Sequence, residues 1–235
     1  MLSILPPIVM TRPLHTRLRL GLLLITAVCS FHAQADIKNV QTTQMLIALT
    51  FDDGPVPGDT EEILDILKRE GAKCTFFVEG RRVADHPDIA RRIIAEGHEL
   101  ANHSYTHPHL SKLPSIEAIR EEIHQTQAAI EEQAKVSPSL FRAPFFDIDE
   151  RVTSVIGELG LPHVRASILT EDWRKEITRE DVTKAVLENP QPGDIALMHD
   201  WSASTIQALP GVLSQLKKRG FTMVTVSDLI ATEGE

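Results

Sequence analysis

From Met45 onward, short apolar runs alternate with longer amphipathic stretches, and no other feature of the chain restricts its fold as much. A short continuous apolar run suits a buried strand, whereas apolar residues recurring every third or fourth position suit one face of a helix. Leu46 to Phe51, Cys74 to Val78, His98 to Asn102, Leu140 to Ala143, His163 to Ile168, Asp194 to Met198 and Phe221 to Val226 read as strands. Thr60 to Arg69, with Ile63, Leu64 and Leu67 on one side, reads as a helix. So do Pro87 to Glu96, Ser115 to Gln133, Asp149 to Leu159, Thr178 to Glu188 and Ser204 to Arg219, and a short helix closes the chain. Seven strands, each followed by a helical segment, predict an α/β fold of parallel strands joined by helical crossovers. A closed or nearly closed barrel and an open doubly wound sheet both satisfy that order. Asp36 to Gln44 reads as a loose lead-in.

The N-terminus breaks the pattern. Arg12, Arg17 and Arg19 form a basic stretch without acids, Leu20 to Phe31 is almost wholly apolar, and Ala33-Gln34-Ala35 follows. A basic head, a short apolar middle and an A-x-A end form a secretory signal layout. Residues 1–35 are therefore expected to be a cleaved signal, residues 36–235 one catalytic domain, and the product periplasmic or secreted. An uncleaved anchor is disfavoured by the shortness of the apolar run, and a lipoprotein at Cys29 by Val28, which stands where a small residue is wanted. Met10 is an alternative start. No later run is apolar enough over about 18 residues to span a bilayer.

The 235 residues carry 24 basic and 33 acidic side chains, a net charge of −9. Without the signal the balance is 21 against 33, or −12. That argues against nucleic acid and anionic membranes as partners. Cys74 becomes the lone cysteine, so no internal disulfide forms, and its apolar run reads as a buried strand rather than the seat of a catalytic thiol.

In parallel β/α folds, catalytic groups sit just beyond the C-terminal ends of strands. Here Asp52-Asp53 ends the first strand, His103 and His107 follow the third, Arg142 ends the fourth, Asp172 follows the fifth and His199-Asp200 ends the sixth. Neighbouring carboxylates repel each other unless a cation or an arginine balances them; a solvated acidic turn is the plainer reading. Two histidines four apart can converge on one ion from a helical turn or a tight loop. Two histidines and one aspartate leave coordination positions open, as a catalytic metal site does, and the metal lowers the pKa of its water. Hydrolysis then needs a base and an acid. The second aspartate can serve as base with Arg142 orienting it, and His199 as acid, held protonated by Asp172. His109 is directed elsewhere by Pro108, and His98 and Asn102 are core or supporting residues.

Taken together, these residues resemble the polysaccharide deacetylases, carbohydrate esterase family 4, also called the NodB-homology domain. The resemblance runs from about Leu46 to Leu229. Thr50-Phe51-Asp52-Asp53-Gly54-Pro55 resembles the family's first motif and implies Asp52 as general base and Asp53 as metal ligand. Asn102-His103-Ser104-Tyr105-Thr106-His107-Pro108 resembles the second and implies His103 and His107 as ligands. Arg142-Ala143-Pro144-Phe145 resembles the third, implying that Arg142 holds the base and that the Phe145 backbone N–H stabilises an oxyanion. Asp172-Trp173 resembles the fourth, with Trp173 shaping the groove and Asp172 tuning the acid. Ile195 to Asp200 resembles the fifth, with His199 as acid and Leu197 lining the acetyl-methyl pocket. The resemblance implies an irregular β/α barrel, a divalent metal (usually zinc, with cobalt, nickel or manganese as alternatives) and hydrolysis of N-acetyl groups on a polysaccharide such as peptidoglycan, a chitin-type oligomer or an exopolysaccharide. Three positions depart from the family pattern: Phe145 replaces a common tyrosine, Phe146 a common glycine and Leu169 a frequent acid.

Other readings use the same residues. The site can cleave an O-acetyl ester, or a small amide or formamide. A glycan binder without catalysis keeps the fold, but the complete residue set argues against it. A non-haem iron oxygenase shares the two-histidine, one-carboxylate set, but its usual antiparallel sheets do not fit the β/α order.

Overall fold

A computed structural model describes residues 36–234; the expected signal at residues 1–35 lies outside them. The order of elements is β1 (Leu46–Asp52), α1 (Asp59–Glu70), β2 (Thr75–Val78), α2 (Gly80–Asp85), α3 (Pro87–Ala95), β3 (Glu99–Asn102), α4 (Ile116–Ala134), α5 (Glu150–Glu158), β4 (Ile168–Leu169), α6 (Arg179–Leu187), β5 (Ile195–His199), α7 (Ala203–Lys218), β6 (Thr222–Val224) and α8 (Val226–Ile230). The helices start where the sequence offers caps. Ser115, Asp149, Thr178, Ser202 and Thr225 each accept a backbone N–H of the following turn, satisfying donors that a helix start leaves unpaired.

All strand pairings are parallel, in the order β3-β2-β1-β5-β4, with β6 also on β1. β1 is buried along nearly its whole length, as a strand covered on both faces must be. Its side chains alternate between faces. Ile47, Leu49 and Phe51 join Phe76, Val78, Leu100, Ala196 and Met198 in the core beneath the helices. Ala48 faces the other way with Phe77, Ala101 and Ile195, in a second core closed by Val226 and Leu229 of α8. By the same alternation Thr50, Asp52, Leu197 and His199 fall on this inner face, and the register sets Asp52 directly opposite His199.

The expected strand at Leu140 to Ala143 is reduced to one residue, Phe141, which bridges Asn102 on one side and His163 on the other, and the one at His163 to Ile168 is reduced to bridges plus the two residues of β4. Six strands therefore stand where about seven were expected, and no continuous ladder runs all the way round among the described residues. Pro138, Pro144 and Pro162 cut these segments short. The Arg142 side chain also takes the carbonyls of Val164 and Arg165 that a ladder would use, at 3.1 and 2.9 Å. This makes the parallel sheet irregular on that side.

The lead-in is not loose. Ile37 bridges Val164, Asn39 bridges Asp194, Val40 is buried and Asp36 pairs with His163 at 2.8 Å. Val40 N–H donates to the carbonyl of Gly193, a residue at φ +85° where an added Cβ would lie 1.8 Å from the Val40 oxygen. Among the described residues no helix is long and apolar enough to cross a membrane.

Candidate active site

The C-terminal edge of the sheet opens into a cavity of about 390 Å³. Asp52, Asp53, His103, His107, Phe145, Trp173, Leu197 and His199 all line it. Arg142 and Asp172, the other two residues expected there, stand behind Asp52 and His199.

Asp52 ends β1 and points inward. Arg142 is completely buried and donates from one nitrogen to Asp52 Oδ1 at 2.6 Å and to Thr50 Oγ1 at 2.8 Å. Its guanidinium also lies 3.9 Å from the centre of the Phe77 ring. A buried charge is tolerable only when paired and hydrogen-bonded, and Arg142 satisfies both conditions.

At Asp53 the chain turns to φ +76°, so the second carboxylate faces the mouth rather than the core. The turn fits because Gly54 follows: a Cβ there would lie 2.0 Å from Asp200 Oδ2. Asp200 is itself buried, and desolvation raises its carboxyl to about 7 although its Oδ2 accepts the Thr60 hydroxyl at 2.5 Å.

The histidine pair sits on a tight loop, not a helical turn. Asn102 Oδ1 accepts Ser104 N–H, and Ser104 Oγ accepts His107 N–H. Glu122, reaching across from α4, accepts the N–H groups of Tyr105 and Thr106 and the Thr106 hydroxyl, at 2.7 to 2.9 Å. Both rings thereby turn their Nε2 atoms to Asp53 Oδ1, His103 at 3.4 Å and His107 at 3.2 Å.

Among the described residues, these three form the group of donors that can converge on one ion, with ligand atoms within 4.8 Å of one another. Their chemistry fits a divalent cation. Asp53 Oδ1 is buried and accepts no hydrogen bond. His103 Nδ1 lies 2.8 Å from the Arg142 carbonyl oxygen; an oxygen of that kind only accepts, so Nδ1 carries the proton and Nε2 offers a lone pair. Lone pairs of His103 and Asp53 then face each other unless positive charge lies between them. The titration shifts carry the same mark. Burial opposes charge on Asp53 and on His103, yet the histidines hold Asp53 far below the usual carboxylate range and the aspartates raise His103.

Across the mouth, His199 Nδ1 lies 2.7 Å from Asp172 Oδ1, while Asp172 Oδ2 accepts the His199 backbone N–H and the Thr205 hydroxyl. This fixes the ring with Nε2 toward the cavity, 4.0 Å from Asp53 Oδ2. Burial would lower the pKa of His199, but the bond to Asp172 and the field of Asp172, Asp52 and Asp53 raise it to about 8.

Aromatic rings form the rim. Phe145 is 59% exposed and Trp173 44% exposed. Trp173 meets His199 edge-on at 5.7 Å. His109 stays out of the ion-binding group, as expected, and stacks on Phe145 at 4.1 Å: the left-handed turn at Phe145 brings that ring back over the loop. Sequence reasoning missed this stack, the Glu122 clamp and Trp201, whose indole N–H donates to Asp53 Oδ2 at 2.8 Å. Trp201 had a signal, since it lies two residues beyond a strand end that already carries His199.

With this geometry in place, comparison with known proteins is direct. The family described as polysaccharide deacetylase matches residues 39–164. The chain belongs to the polysaccharide deacetylase family. Among its curated relatives is a peptidoglycan-N-acetylglucosamine deacetylase, PgdA, of Listeria monocytogenes, 39% identical over 187 residues, covering 80% of this chain and 39% of that protein. The chain thus spans about two-fifths of the length of that relative. The solved structure of the peptidoglycan deacetylase PdaC from Bacillus subtilis has a TM-score of 0.76 and 34% identity, covering 82% of this chain and 93% of that one. A carbohydrate esterase family 4 pseudoenzyme from Bacillus anthracis also superposes, with a TM-score of 0.79 and 28% identity, covering 85% and 70% of the two chains. Membership in this deacetylase family therefore leaves activity to be argued from the site itself.

Proposed function

We propose that this family member is a metal-dependent hydrolase that removes N-acetyl groups from an aminosugar polymer, of which peptidoglycan is the first candidate. One observation carries the reading: a complete ligand set, an arginine-held carboxylate and an aspartate-held histidine converge on one cavity. Asp53, His103 and His107 would hold the cation, with zinc favoured by the nitrogen-rich donor set. A cation bound there would supply Lewis acidity, polarising the acyl oxygen and lowering the pKa of a neighbouring water.

The chain's own residues do the rest. Asp52, oriented by Arg142, takes a proton from the attacking water as the C–O bond forms. The backbone N–H of Phe145 stabilises the developing oxyanion, and Leu197 receives the acetyl methyl. His199 gives the Nε2 proton to the amine nitrogen as the C–N bond breaks, while Asp172 keeps the imidazolium favourable. Acetate and a free amine leave, and solvent resets both groups. Phe145 and Trp173 offer apolar faces to the sugar rings flanking the scissile group. The named activities of PgdA and PdaC support peptidoglycan as substrate. A wall substrate accords with export by a signal at residues 1–35, and the mass of the mature protein tests whether it begins at Asp36.

The direct experiment is acetate release from peptidoglycan, chitin oligomers and acetylxylan with added zinc or cobalt. Release from the amide substrates, lost in Asp52→Asn, is the expected result. No release by the native protein, or equal release by Asp52→Asn, overturns the proposal; release from acetylxylan alone would make the enzyme an esterase.

A further inference from the structure

Trp201 lies outside the residues assigned to the reaction, yet it makes the closest polar contact to Asp53. The two oxygens of that carboxylate have different surroundings. Oδ1 is buried, accepts no hydrogen bond and faces both histidines. Oδ2 accepts the indole N–H at 2.8 Å and otherwise has His199 Nε2 at 4.0 Å. We infer that Trp201 is a positioning residue for the metal site: it ties down Oδ2, so that Asp53 presents Oδ1 alone to the cation and does not swing toward His199. The inference rests on the reading of Asp53 as a ligand.

Three features suit Trp201 to this task. Its side chain is a donor with no acceptor, so the N–H is the one polar group it can turn to Asp53. It is neutral, unlike lysine or arginine, and adds no positive charge beside a cation. Its backbone is also held on both sides. It occupies the short link between β5 and the cap of α7, where Ser202 N–H donates to the His199 carbonyl and Ser202 Oγ accepts from Thr205. The ring rests against His199 at 5.1 Å. Supporting hydrogen bonds of this kind set the orientation of a ligand, and their loss typically weakens metal binding about 10–100-fold.

Two variants separate the N–H from the ring. Trp201→Phe keeps an aromatic face without the donor, and Trp201→Gln keeps a donor without the aromatic face. Zinc affinity is measured by competition with a chromophoric chelator, and site geometry by the visible spectrum of the cobalt-loaded protein. Trp201→Phe is expected to bind zinc about 10–100-fold more weakly with an altered cobalt spectrum, and Trp201→Gln to recover most of the affinity. Wild-type affinity and spectrum in Trp201→Phe, or equal weakening in both variants, overturns the inference. Asp53→Ala is the control: if it binds zinc as tightly as the native protein, the ligand assignment itself fails, a result distinct from a silent Trp201→Phe.

Discussion

Replacing Asp172 by asparagine probes the acid half of the site without adding or removing bulk. Asp172 accepts three hydrogen bonds: His199 Nδ1 at 2.7 Å, the His199 backbone N–H at 2.8 Å and the Thr205 hydroxyl at 2.5 Å. Asparagine has one acceptor oxygen and no charge. In the native site His199 is raised from 6.5 to about 8, a preference for the charged ring of about 2 kcal/mol. A histidine whose pKa is higher folded than unfolded contributes that stability fully below its unfolded value and loses it as pH climbs through the folded one. The native protein should therefore lose about 2 kcal/mol of unfolding free energy between about pH 6 and pH 9 from this group alone. In Asp172→Asn the bond and the nearest charge are gone and burial remains, so His199 should titrate near or below its ordinary value and most of that slope should vanish. An unpaired donor costs about 1–3 kcal/mol at every pH, so the informative quantity is the pH dependence of the difference. Urea unfolding across pH, with the His199 ring signal followed by NMR in metal-free protein, measures both. The alkaline limb of kcat/KM should move to lower pH with it. A His199 that titrates in Asp172→Asn where it does in the native protein refutes the reasoning.

Other outcomes follow from the same contacts. Asp52→Asn should abolish acetate release and destabilise the fold by about 3–5 kcal/mol in urea titration, because Arg142 stays buried with its charge unbalanced. Exhaustive chelation should stop hydrolysis, zinc should restore it, and Asp53→Ala should show no stoichiometric zinc by elemental analysis. Glu122→Ala should weaken zinc binding and cost about 1–3 kcal/mol of stability, because three donors of the histidine loop lose their acceptor. Cys74 should resist thiol reagents in folded protein and react after denaturation, since the residue is buried and desolvation pushes its thiol pKa up.

The strand-by-strand order and the positions of the chemical residues were legible because both follow from short-range periodicity. Asp52 and His199 ended strands in the pattern, and pairing those strands was enough to bring them together. What escaped was set by long-range contacts that leave no local trace. Leu140 to Ala143 is apolar enough for a strand, but flanking prolines and an inward arginine reduce it to a bridge. Asp36 to Gln44 carries no strong pattern, yet Gly193 and His163 lie across from it and hold it in place. Glu122 is one of several acids on α4, and only packing of that helix against the loop reveals that it anchors the histidine pair. His109 stays out of the ion-binding group as expected, but its stack on Phe145 went unforeseen because the backbone after Arg142 turns left-handed, a conformation not expected of consecutive phenylalanines.

That turn is part of a wider distribution. Among the described residues, Asp53, Ser104, His107, Phe145, Phe146 and Glu171 are non-glycine residues with positive φ beside the cavity, and Lys135 at the end of α4 is the only other one. Each such conformation costs about 1–3 kcal/mol, so the mouth is the least relaxed part of the molecule. Heat resistance and turnover should accordingly pull in opposite directions here. Substitutions that let these loops relax are the ones to expect from selection for thermal tolerance alone, and they should surface as sturdier proteins with blunted chemistry.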